Sequence, residues 1–145
     1  SCTDLSHDVA EIAYPSAEIE HLGKLLAAAD LIAQMADRIY LEKLLFLYHE
    51  FEEGGIGNYA GEVDLLRKTI GFYQYVDQRL SPIADMIDRL ARRHFVVRWE
   101  IDANLYQAAI DNQKEYLQFV LDQPGDPRDR LRRQDIVQLV RQTYN

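Results

Sequence analysis

A chain of 145 residues accommodates one domain that buries roughly two-thirds of its unfolded surface, and does not require a second. Hydrophobic residues at 48%, charged residues at 28%, 7 Gly and 4 Pro exclude a disordered or low-complexity chain. The net charge of -8 sits early, with 3 Lys/Arg against 13 Asp/Glu in residues 1–65 and 13 against 11 in residues 66–145, a balance that repels nucleic acid and suits cations.

Residues 1–15 read as an irregular lead-in, because Val9, Ile12 and Tyr14 alternate only loosely and Pro15 disfavours helix at the residue before it. Ser16 is then a good N-cap, with Glu18 and Glu20 where the helix dipole favours acids. Apolar residues recur with a helical period at Ile19, Leu22, Leu25, Leu26, Ala29, Ile32, Ala33 and Ala36, which predicts a first helix over about 17–36. A second, about 38–53, contains "IYLEKLLFLYHEF"; its apolar side chains cover most of the circumference, as expected of a helix surrounded by others. "GGIGNYAG" stops it, and "EVDLLRKTIGFYQYVDQRL" forms a third helix over about 62–80, with an irregularity expected at Gly71.

Ser81 and Pro82 open a fourth helix, "IADMIDRLARRHF". Val96 and Val97 lean towards strand, and a break is expected near residues 100–102, where Asp102 caps a fifth helix running to "PGDP". "RDRLRRQDIVQLVRQTY" reads as one last helix. The expected architecture is all-α, a compact bundle of about six helices in a single domain over residues 1–145.

The only cysteine, Cys2, has no partner for an internal disulfide, so a reducing, cytoplasmic setting is the default. No apolar run approaches the ~18 residues of a membrane span, and the richest stretch, Leu25 to Ala33, is broken by Asp30. A membrane partner is therefore not expected.

Three groups of residues carry candidate chemistry. The doublet His7-Asp8 in "LSHDVAEIAYP" is a metal-binding pattern, although random order in this composition gives roughly 0.4 such pairs. On the first helix, Asp30, Gln34 and Asp37 fall within about 60° of one another at 100° per residue. Ile19 and Leu26 share that sector, which places the two carboxylates at the border of the apolar face, where each needs a cation, a base or backbone donors. Asp37 reads equally as the N-cap of the second helix, and Asp30 as the ion-pair partner of Arg38 or Arg67. His49 with Glu50 and Glu53 makes a third group, more consistent with a solvated helix end than with a metal cluster.

The stretch "ADLIAQMADRIYLEKLLFLYHEFEEGGIG", followed by "LLRKTIGFY" and by "HF", "RW", "ID" and "NLY" between His94 and Tyr106, resembles a bacterial branch of the HD-domain metal-dependent phosphohydrolases over roughly residues 22–120. The resemblance implies an HD-domain-like helical fold. It also implies that Asp30 corresponds to the last metal-binding aspartate, with Gln34 and Asp37 lying beyond the direct ligands or on the substrate side. A divalent cation (Mn, Fe, Ni or Mg) would activate water against a phosphomonoester or nucleotide, so the implied partner is a phosphorylated small molecule.

The chain departs from that pattern, since His7 and Asp8 stand only 22 residues before Asp30, in a lead-in, and no histidine precedes them. Two accounts stay open. Either the His and His-Asp ligands lie upstream of Ser1, in a longer protein of which this is the C-terminal part, or the chain is a degenerate relative without the chemistry. The expected function is accordingly an HD-type phosphohydrolase-like protein that is incomplete or inactive as this chain. The alternative is a non-catalytic helical module for dimerisation or regulation, with a homodimer among the expected partners.

Overall fold

Ser16 ends the lead-in in extended geometry, and its Oγ accepts the Ile19 N–H at 3.3 Å, supplying one of the donors that a helix start leaves unpaired. In the computed structural model, which describes residues 12–144, this cap opens α1 (Ala17–Met35). A tight turn at Asp37 redirects the chain: Asp37 Oδ1 accepts the Ile39 N–H at 3.0 Å and Oδ2 pairs with Lys43 at 2.5 Å. Helix α2 (Tyr40–Gly54) follows and buries Tyr40, Leu41, Leu44 and Leu45. It stops where Gly55 adopts the left-handed conformation, φ 63°, that costs glycine least.

Helix α3 (Glu62–Leu80) turns Leu65, Leu66, Thr69, Tyr73 and Val76 inward and runs unbroken through Gly71, so the expected irregularity there is absent. A 3-10 turn at Ser81–Ile83, with Pro82 pre-set for helix entry, leads into α4 (Ala84–Trp99). Val96 and Val97 belong to that helix and face solvent, 41% and 74% exposed. Their β-branched preference is worth too little to interrupt a helix anchored by the buried Phe95.

The cap of α5 (Leu105–Asp122) is Asn104, whose side chain accepts the Gln107 N–H at 3.1 Å, and not Asp102. Asn104 also donates to Asp88 Oδ1 at 3.2 Å, which ties the α5 start to α4; Asp102 meets α4 through its backbone carbonyl, which accepts from Arg92 at 3.2 Å, while its carboxylate stands 3.7 Å from the same guanidinium.

The last segment is not one helix. A 3-10 turn at Pro127–Arg130, capped by the Asp126 carboxylate, precedes α6 (Gln134–Tyr144). Two burials force the break: Leu131 takes an extended backbone and enters the core at 2% exposure, and the Arg133 N–H bonds the buried Glu42 carboxylate at 3.0 Å.

The result is an all-α bundle of six helices, with no strand among the described residues. Helix α5 packs on α1, α2, α3 and α4, while α2 is flanked by α3 and α6. The core joins α1, α2, α3, α5 and α6, with Leu45, Leu66, Leu117, Val120 and Val137 fully buried. Among the described residues no helix is long and apolar enough to cross a membrane.

Leu117→Ala, at the centre of α5, should cost about 2–5 kcal/mol in urea unfolding, since the surrounding side chains come from several helices and close the hole only in part. The Arg128 guanidinium beside Asp126 holds its carboxyl below the usual carboxylate range. A depressed folded-state value gives stability that is full above the ordinary aspartate range and is lost as pH falls through the folded value. Thermal midpoints should therefore drop on acidification below about pH 4, and Asp126→Asn should flatten that limb of the profile.

Candidate functional site

The buried line of α1 is Ala27, Ala28, Leu31 and Met35. Ile19, Leu22 and Leu26 lie on another side of the helix, 47%, 63% and 58% exposed. The sector expected to border the core is thus a solvent-facing apolar ridge, and Asp30 stands exposed at its end. Gln34 Nε2 donates to Asp30 Oδ1 at 3.2 Å, so the one-turn spacing brings these two candidates together. Among the described residues this is the partner of Asp30; neither Arg38 nor Arg67 pairs with it.

Asp37 falls beyond the helix end and is engaged in its turn. The Lys43 ammonium, and after it the Ile39 N–H, hold its carboxyl below the usual range. Its role is close to the capping alternative, although it braces the turn before α2 rather than the helix terminus itself. His7 and Asp8 lie outside the described residues. Among the described residues no three His, Cys, Asp or Glu side chains gather as a metal site.

His49 does not join Glu50 and Glu53. Its Nε2 lies 2.8 Å from Glu62 Oε1, and its ring stacks on Tyr144 at 3.8 Å, nearly parallel. Glu62 is only 9% exposed and also meets the Arg128 guanidinium at 2.7 Å, which in turn binds Asp126. These contacts fasten α3 and the 3-10 turn to α2 and α6. Glu62 and Arg128 are 66 positions apart, so no local spacing announces them.

A groove of about 400 Å³ lies open between α1 and α4, walled by Leu25, Ala29 and Ile32 on one side and Leu90, Ala91 and His94 on the other. Tyr106 closes one end beside His94, its hydroxyl 3.4 Å from Nε2, and Trp99 packs edge-on against the same imidazole. The two helices run antiparallel: Ile32 and Met35 share an adjoining cleft with Ala84 and Ile87, while Leu25 lies towards His94. Of the three acids in that cleft, Asp77 is partnered by Lys114 and Asp88 by Arg92 and Asn104, while Asp85 is exposed. An apolar trough with a single polar end suits a hydrophobic side-chain row better than a charged metabolite.

No curated protein and no solved structure matches the chain. The family model described as Npun_R2479-like matches residues 9–117, which take in α1 to α4, most of α5 and both walls of the groove. The chain belongs to the Npun_R2479-like family.

Proposed function

We propose that the chain is a non-catalytic helical module that works by protein–protein association, with the α1–α4 groove and its lips as the contact surface. The observation that carries this reading is the continuous apolar exposure there: Leu22 and Leu26 on α1, Leu90 and Val97 on α4. A fully buried aliphatic side chain gains roughly 1.5–3 kcal/mol over an exposed one, so a row of them left in water marks a surface made to be covered. The surroundings we infer are cytoplasmic, in keeping with a single cysteine.

A second reading, the HD-type phosphohydrolase, is favoured by one feature: Asp30 is exposed on α1 and, among the described residues, is engaged only by a neutral amide. In that reading Asp30 would complete a divalent cation site with ligands from outside the described residues, His7 and Asp8 or others, and the substrate would be a phosphomonoester or nucleotide.

Elemental analysis of the purified chain separates the two. The association reading expects no stoichiometric Mn, Fe, Ni or Mg, and no hydrolysis of p-nitrophenyl phosphate when Mn is added. About one metal per chain that is lost in Asp30→Ala, a change at an exposed position that leaves the core intact, would establish the phosphohydrolase reading instead.

A further inference from the structure

We infer that the partner is a second copy of this chain, seated on the α1–α4 surface about a two-fold axis that runs along the groove. The inference rests on the association reading and adds the identity of the occupant. Its basis is the opposite charge of the two lips. The solvent side of α1 carries Glu18 and Asp30, whereas the outer side of α4 carries Arg89 and Arg93 against one acid, Asp85, at the start of the helix, all five exposed. The nearby Lys24 and Arg92 are already paired within their own helices, to Glu20 and Asp88.

In an isologous dimer each patch meets itself turned over. With the axis along the groove, α1 of one copy lies on α4 of the other and acid meets base. With the axis across the groove, α1 meets α1 and α4 meets α4, so like charges face each other and that arrangement is disfavoured.

The antiparallel course of α1 and α4 fixes the register. Ile32 and Ile87 line both the groove and the adjoining cleft, and Leu25 and His94 line the groove alone, so the register inferred sets Ile32 level with Ile87 and Leu25 with His94. Because both helices advance about 1.5 Å per residue, Leu22 is level with Val97, Leu26 with Arg93 and Asp30 with Arg89. A rotation about the groove axis preserves these levels. It sets Leu22 against Val97 of the second copy, lays the Arg93 methylenes over Leu26, and places Asp30 opposite Arg89. Leu22 and Val97 are the most exposed aliphatic side chains of the two helices, 63% and 74%, and this pairing covers both.

Sedimentation of the full chain over a concentration series tests the inference, with circular dichroism confirming that each surface variant is folded. The wild type should be a dimer. Leu22→Glu should make it monomeric, and Asp30→Arg or Arg89→Asp alone should weaken it by about tenfold or more. Asp30→Arg combined with Arg89→Asp should regain most of the lost affinity. A wild type that stays monomeric overturns the inference, as does a dimer indifferent to Leu22→Glu, or one whose two charge reversals fail to compensate. A chain that dimerises only after removal of residues 1–11 assigns the groove to that segment and overturns it too. None of these results touches the association reading, which falls to bound metal and phosphatase activity.

Discussion

The arrangement of this molecule depends on how α5 is buried. One line of that helix, Ile110, Leu117 and Val120, is almost wholly removed from water, and α1, α2, α3 and α4 all come to it. Two helices that pack on a common third helix need not meet each other. Here the residues that α1 and α4 turn towards one another include Ala28, Ala29, Ala33 and Ala91, too small to fill the space between, and the groove stays open. The same alanines that make α1 a good helix therefore leave the groove beside α4 unfilled. Larger side chains at these positions would close the bundle and remove the surface.

The opposite end is built on a different principle. Glu42 and Glu62 are buried carboxylates, and each is stabilised only because a distant segment supplies donors: the Arg133 N–H for one, Arg128 and His49 for the other. Such contacts add little net stability beyond what apolar residues of equal size would give, but leaving either acid unpaired is costly. They select one docking position for α6, which Leu131, Val137 and Val140 then consolidate by apolar burial. The stacking of Tyr144 on His49 finishes that end. The groove and these fastening contacts thus lie at separate places in the fold.

The helices themselves were legible because their signals are local. Ser16, Pro82 and the glycines after Phe51 mark starts and stops within a few residues of where they occur. What escaped sequence reasoning was set by distant partners. The break before α6 needs Glu42, 91 positions from Arg133 in the chain, and the choice of Asn104 over Asp102 as a cap depends on Asp88. The sector of Asp30 was misjudged for a related reason. Period alone cannot tell which of two apolar stripes faces the core, and α1 has two: the small Ala27–Ala28–Leu31–Met35 line that is buried, and the larger Ile19–Leu22–Leu26 ridge that is not. Leucines left on the outside of a helix run against the usual expectation, and the proposed contact surface rests on that exposure.

The central claim, that α1 of one chain lies on α4 of another, is tested most directly by cross-linking. In a Cys2→Ser background, Leu22→Cys and Val97→Cys combined should form a covalent dimer under mild oxidation, because a disulfide closes only when Cα atoms come within roughly 7 Å. Each cysteine alone should leave the chain monomeric on a non-reducing gel. A dimer formed as readily by Leu22→Cys alone, or a disulfide that closes within one chain, would contradict the account.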